Sequence, residues 1–412
     1  MITHDPGAIR VAALLVSASC GIAFLLGSGE MAVHAGMAGS LYAIVTAFGM
    51  FALALSAQKL WHGGMPIWAI LGNQYGTVVR KGVALLSLLW MSGVLAAQIH
   101  GGVAVLSTAG LTTAPSVLIT AVAVLAMSSL DLGVAALLFA VGLLASNVVL
   151  LHALVASGGL PVYLHAWPSF IREMQGASGI DTFADVIAVG FLVITGSDYQ
   201  QFVIAARRPL DACLGCALAG VFLIAVGFLP AATVVAALHS GQLSGLTDDA
   251  GAIPWIALHS NAHLGPFCLG MIMLAALGSG TAVTRAMTSA LLDLPPFIVR
   301  HAITARLLVV VTCSVIAIDG RSIVSTVISL NMVYISAVGI LFALDQTGHA
   351  VMPRCAFEMM IAGTVSSLLA TALVWVHITD VPDWIPLTVG LTASACPLLA
   401  RSLACGPWRL RR

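Results

Sequence analysis

Asp198 and Arg285 are the charged residues that lie most clearly inside long apolar stretches of this 412-residue chain. An ionised group in an apolar layer is costly unless it meets a partner or water, so each marks a place where ion or solute chemistry is expected. Asp198 follows Thr195, Gly196 and Ser197, and its plainer role is to cap the helix beyond the glycine, where a carboxylate meets unpaired amides. Arg285 has the plainer role of snorkelling its guanidinium to the inner interface. Ser17, Ser19, Cys20 and Gly21 make a second cluster of small polar residues in an apolar stretch. Gln98 and His100 share a third stretch. A histidine titrates near neutrality and can carry a proton, while a packed structural histidine is the more ordinary reading. Asn331 and Tyr334 suit either closing a pathway or bonding between helices. The eight cysteines show no zinc spacing, and Cys213 and Cys216, one helical turn apart, read as small apolar fillers. Patterns such as G-x-S-x-G, H-E-x-x-H and a glycine-rich phosphate loop are missing, which leaves no enzyme reading and no organic cofactor.

Membrane helices must position these residues. Hydrophobic residues make up 60% of the chain and charged residues only 8%, against roughly a quarter charged in a soluble domain. The partner is therefore a lipid bilayer. Lys+Arg and Asp+Glu balance at 16 each, so no basic stripe is present to hold nucleic acid. Apolar windows of about 20 residues fall at 8–29, 36–57, 82–109, 112–129, 132–155, 183–204, 209–239, 265–291, 302–318, 322–345, 356–378 and 384–405. Residues 158–176, with Trp167, Phe170 and Arg172, read as an amphipathic interfacial or lid helix. Short-loop cations set the orientation. Arg10, Lys59, Arg80, Lys81, Arg207, Arg208, Arg300, Arg354, Arg409, Arg411 and Arg412 gather on one side. The other side holds Arg172 and Arg321 with Asp181, Asp248, Asp249, Asp319, Asp380 and Asp383. Both termini are thus expected in the cytoplasm, with the chain in the inner membrane as one domain, 1–412.

Two windows differ from the rest. Ser17 to Gly21, then Gly27-Ser-Gly29, interrupt the first, and Thr195 to Asp198 interrupt the sixth. Glycine costs about 1 kcal/mol in a helix interior, and Ser or Thr competes for backbone groups. Such clusters either unwind a helix, baring carbonyls and half-helix ends for an ion or solute, or serve as notches for close packing. Their matched places in two five-helix halves, 8–155 and 183–345, favour unwinding, with 356–405 as two extra helices. The fold expected is an all-α polytopic membrane protein of about twelve helices.

Pro66-Ile-Trp-Ala-Ile-Leu-Gly-Asn-Gln-Tyr75-Gly76 resembles the P-E-x-L…R-Y/F-G segment of the sodium:solute symporter family. Asp198-Tyr-Gln-Gln201-Phe…Ala205-Ala-Arg207, followed by Phe228-Leu-Pro230-Ala, is similar to its D-Y-x-Q-R…A-A-R/K…L-P-A run. Asp249-Ala-Gly-Ala-Ile-Pro254 and Leu274-Ala-Ala276-Leu-Gly-Ser279 resemble its D-x-A-x-P…A-A-x-x-S-S/T stretch, and Gln98 matches a recurrent glutamine. The resemblance covers about residues 8–345 and implies the five-plus-five inverted-repeat (LeuT-type) fold with broken helices one and six. It implies cation-coupled uptake of a small polar organic solute, with Na+ or H+ as the coupling ion. Solute contacts are then expected from Ser19, Gly21, Gln98, His100, Thr195, Gly196, Ser197, Asp198 and Asn331. The family's sodium ligands carry over to the carbonyls of Ser17, Cys20 and Ala276 and to hydroxyls at Ser279 and Gly280. Gly280 has no hydroxyl, so Thr281 or water must substitute, because a hard cation wants roughly five or six oxygens. Phe202 also takes the place of the family's arginine.

These departures suggest that Asp198 and Arg285 pair at the central site. Arg285 would then supply the charge that sodium otherwise brings, making transport proton-coupled or uncoupled and favouring an anionic solute. The rival readings are a permease of the nucleobase:cation symporter type and a membrane receptor that senses a ligand without transporting it.

Overall fold

The computed structural model describes residues 6–176, 179–260, 263–294, 301–318, 323–375, 382 and 384–405. Helix makes up 86% of it. Among the described residues, eight helices are long and apolar enough to cross a membrane, and Ala8–Ser19, Thr113–Ser128, Ala302–Ala317 and Ile385–Arg401 are shorter apolar helices. Arg300, Asp319, Arg321, Asp380, Asp383, Arg409, Arg411, Arg412 and the side chain of Asp181 lie outside the described residues.

The first span runs Ala8–Ser19, then Ala23–Gly27 and Ser28–Ala35, past the end expected at residue 29. The second begins at Leu41 rather than at 36. Gly36, with φ 59°, makes the turn, and the Gly36–Ser40 segment folds back on Ser28–Ala35. Gly27 and Gly29 stay helical and allow close approach by the tenth span and by the short helix Ala252–His259. A Cβ on Gly27 would lie 2.7 Å from Val324, and one on Gly29 would lie 2.5 Å from Ile253. Here the packing reading wins over unwinding.

The third to fifth spans are Thr77–Thr108, Thr113–Ser128 and Leu132–Ala156. The sixth is Gly179–Thr195 with Ser197–Ala205, and the seventh is Pro209–Gly227 with Leu229–His239. The eighth to tenth are Gly265–Leu292, Ala302–Ala317 and Ile323–Gln346, and Pro353–Trp375 and Ile385–Cys405 follow. Along the fifth span Leu137, Val141, Leu144, Val148, Leu151 and Val155 are exposed at alternating spacings of three and four. That stripe is one face of an α-helix turned to lipid. The expected lid segment forms two short helices, Leu160–Leu164 and Ala166–Met174, with Trp167, Phe170 and Phe228 in one ring cluster.

Contacts divide the spans into two bodies. The second, seventh, first and sixth pack on one another, while the third, eighth, fourth and ninth form the other group. Glycines set the closest approaches in the first group: Gly49 lies against Val193, Gly215 against Val11 and Gly220 against Phe51. The tenth span packs on the third, the eleventh and the twelfth. Between the second and third spans a short helix, Ile67–Tyr75, starts after Pro66 and stops at Gly76, φ 98°. Asp293, at the end of the eighth span, accepts from Trp68 Nε1 at 2.6 Å and from Arg80 at 3.2 Å.

Candidate functional site

Both clusters singled out by composition break their helices. In the first span the α-helix ends at Ser19, and Cys20 leaves helical geometry with ψ 37°. Gly21 is required here by contact: a Cβ would lie 2.2 Å from Ser279 Cβ and 2.9 Å from Gln98 Oε1. Beyond the break the chain widens into a π-turn at Ala23–Gly27. The Ile22 amide, an orphan donor of the restarted helix, donates to Gln98 Oε1 at 2.8 Å. Gln98 therefore braces the break from the third span.

In the sixth span only Gly196 leaves helical geometry, with ψ 118°. Its carbonyl accepts from the Gln200 amide at 2.9 Å, restarting the helix at once. Gln200 Nε2 donates to Ile194 O at 3.1 Å, across the break. Gln201 Nε2 donates to Asp198 O at 2.8 Å and to Ala282 O of the eighth span at 3.1 Å. The Asp198 carboxylate is 2% exposed and folds back over Gly196, against the first-turn amides of Asp198 and Tyr199. That position matches the capping role. Its Oδ1 nevertheless has no hydrogen-bond partner, and Tyr42, Tyr199 and Tyr334 lie within its electrostatic reach.

A polar face of the third span looks toward this region. Ser87, Met91 and Gln98 stand four and seven residues apart, the spacing of one helical face. Ser197 Oγ lies 3.4 Å from Met91 Sδ, and the rings of Trp90 and Tyr334 are 5.8 Å apart. Ser87 Oγ, Trp90 Nε1 and Tyr334 OH are buried without a hydrogen bond, although the hydroxyls of Ser87 and Thr195 lie beside Tyr334. Unpaired buried donors are expensive, so these atoms are candidate solute contacts. Sequence reasoning named Tyr334 but missed Ser87 and Trp90, which the same helical spacing from Gln98 could have found.

A cavity of about 430 Å³ opens beside Gly64, Pro66 and Trp68 and ends on Ser197, with Gln201 and Arg285 in its wall. Three side-chain contacts lie at the opposite end among the described residues. Glu30 accepts from the Ile323 amide at 3.2 Å, His34 meets Asp249 at 2.7 Å, and Glu173 accepts from the Ala38 amide at 3.2 Å. Among the described residues, the cavity therefore opens beside the helix that follows Pro66.

Several expected site residues have other tasks. His100 is roughly 200° around the helix from Gln98 and lies on a different face. Asn331 Nδ2 donates to Ala188 O, tying the tenth span to the sixth. Ser19 and Thr195 turn their hydroxyls to Leu15 O and Phe191 O, one turn back on their own helices. Arg285 does not pair with Asp198. Its Nε donates to Ser128 O at 3.1 Å and its Nη2 to Leu130 O, at the carbonyl end of the fourth span. That end of a helix carries partial negative charge, and it is a nearer partner than a carboxylate already folded onto amides.

The carried-over sodium set fits poorly. Ser279 faces Gly21 as expected, but Thr281 Oγ1 donates to Gly278 O at 2.8 Å within its own helix. A Cβ on Gly280 would face Val124 and Gln98, away from the first span. Of the two hydroxyls carried over, Ser279 alone remains, to be set beside the carbonyls of Ser17, Cys20 and Ala276, so the set is one oxygen short for a hard cation.

A sodium-coupled sialic acid symporter, solved substrate-bound and outward-open with a novel sodium site, superposes with a TM-score of 0.78 at 11% identity, covering 99% of this chain and 92% of the other. A nucleobase-cation-symport-1 family transporter, solved in a closed conformation with bromovinylhydantoin bound, superposes with a TM-score of 0.62 at 13% identity, covering 100% and 96%. No family model and no curated protein matches the sequence. At these identities the likeness establishes the fold: the LeuT-type arrangement with broken first and sixth helices and two further C-terminal helices.

Proposed function

We propose that the chain is a secondary transporter of the inner membrane, importing a small polar organic solute by alternating access. It reads as a divergent relative of the sodium:solute symporters, with repeats at 8–155 and 183–345 and with both termini cytoplasmic. The observation that carries this reading is the cavity of about 430 Å³ ending on Ser197 at the sixth-span break. A pore would be continuous, and a carrier presents its site to one side at a time. The unpaired atoms of Ser87, Trp90, Asp198 and Tyr334 supply hydroxyl, indole and carboxyl contacts for a polar solute. Coupling to a cation gradient, proton or sodium, is the energy source this fold serves in the sodium-coupled neighbour.

The test is a thermal-shift screen of sugars, amino acids, carboxylates, vitamins and nucleobases on the purified protein, followed by counterflow in liposomes. Preloaded unlabelled solute should drive accumulation of the labelled form. Saturable binding without exchange would replace the transporter by a ligand receptor of the same fold.

A further inference from the structure

Between the first, fifth and eighth spans lies a small cavity directly beneath the first break. Ser17 of the first span, Phe139 of the fifth and Gly278, Thr281, Ala282 and Arg285 of the eighth contribute to its wall. The four residues of the eighth span follow the spacing of a single helical face. This is the corner in which the sodium ligands of the resembling family would stand. The oxygen set there departs from the family's, because Gly280 brings no hydroxyl beside Ser279 and the Thr281 hydroxyl is turned back on Gly278 O, while Ser17 Oγ faces Gly278.

Where oxygens are missing, a permanent cation is present. The Arg285 guanidinium carries five donors and stays charged at any relevant pH. Nε and Nη2 are spent on the carbonyls of Ser128 and Leu130, which fix the side chain against the fourth-to-fifth turn. Asp131 and Arg306 are the other charges that act on it. A fixed positive charge bordering the cavity disfavours a free metal cation there, and it offers the first-span carbonyls a counter-charge that never has to bind or leave.

We infer that Arg285 is a tethered cation standing in for sodium beneath the first break, so that the protein binds and exchanges its solute without sodium. The inference rests on the transporter reading but is tested separately from it. In the full-length purified protein, the unfolding midpoint should be the same in sodium and in potassium at equal ionic strength. Counterflow of a solute found by the screen should differ by less than about twofold between the two salts. Arg285→Gln should lower exchange by about tenfold or more, the loss expected when charge-assisted bonds go, and Arg285→Lys should keep part of it. A saturable, sodium-specific rise in the wild-type midpoint overturns the inference, whether or not a transported solute is found. Strict sodium dependence of wild-type exchange overturns it equally and leaves the transporter reading intact.

Discussion

The two helix breaks solve one problem in different ways. At the first, the chain leaves helical geometry at Cys20 and Gly21, restarts through a π-turn, and gives its freed amide to Gln98 of another span. At the sixth, a single glycine departs, and the glutamine that bridges the gap, Gln200, sits four residues on in the same span. The first break is therefore held from outside, by the third and eighth spans. The second is largely self-contained, touching the eighth span through Gln201 and Ala282 O. A break held by its neighbours can open only when they separate, whereas a self-bridged one moves as a unit.

Substitutions can break this contrast. The largest effect is expected at Gly21→Val, where side-chain atoms would enter space filled by Ser279 and Gln98. About 3 kcal/mol of stability should be lost by overpacking, read as a lower unfolding midpoint together with abolished counterflow. Next, Gln98→Leu leaves the buried Ile22 amide unpaired and should cost about 2 kcal/mol. Gln98→Glu, which keeps an acceptor, should recover most of that loss in the same unfolding measurement. Gln200→Leu removes one donor from a carbonyl and should cost only about 1 kcal/mol. Equal losses at Gln98 and Gln200 would erase the distinction drawn here. The smallest effect is expected for Tyr334→Phe, which deletes a buried hydroxyl that has no partner and leaves the ring in place. Stability should change by about 0.5 kcal/mol or less, while the solute concentration for half-maximal thermal shift rises if that hydroxyl meets solute.

The positions of the spans and of both breaks were legible in the sequence, because length, apolarity and clustered Gly, Ser and Thr are local properties. What a given glycine does was not. Gly27 and Gly29 read as an interruption of the first span, yet the turn comes at Gly36, and the close approach of Val324 and Ile253 to the first two is a tertiary fact. The same limit applies to Arg285. Composition marked it as functional, but its partners are main-chain carbonyls of Ser128 and Leu130, about 155 residues away in sequence and invisible to side-chain pattern. Thr281 looked like a spare ligand until its hydroxyl was seen on Gly278 O. His100 is different, since its angle from Gln98 was available from helical geometry alone.

Asp293 takes both Trp68 and Arg80, so the short helix after Pro66 and the foot of the third span are strapped to the tail of the eighth. Trp68 also borders the cavity mouth. The width of that doorway is thus set by the tilt of a helix whose middle carries Ser279 and Arg285, and the aperture and the depths of the protein report to one lever.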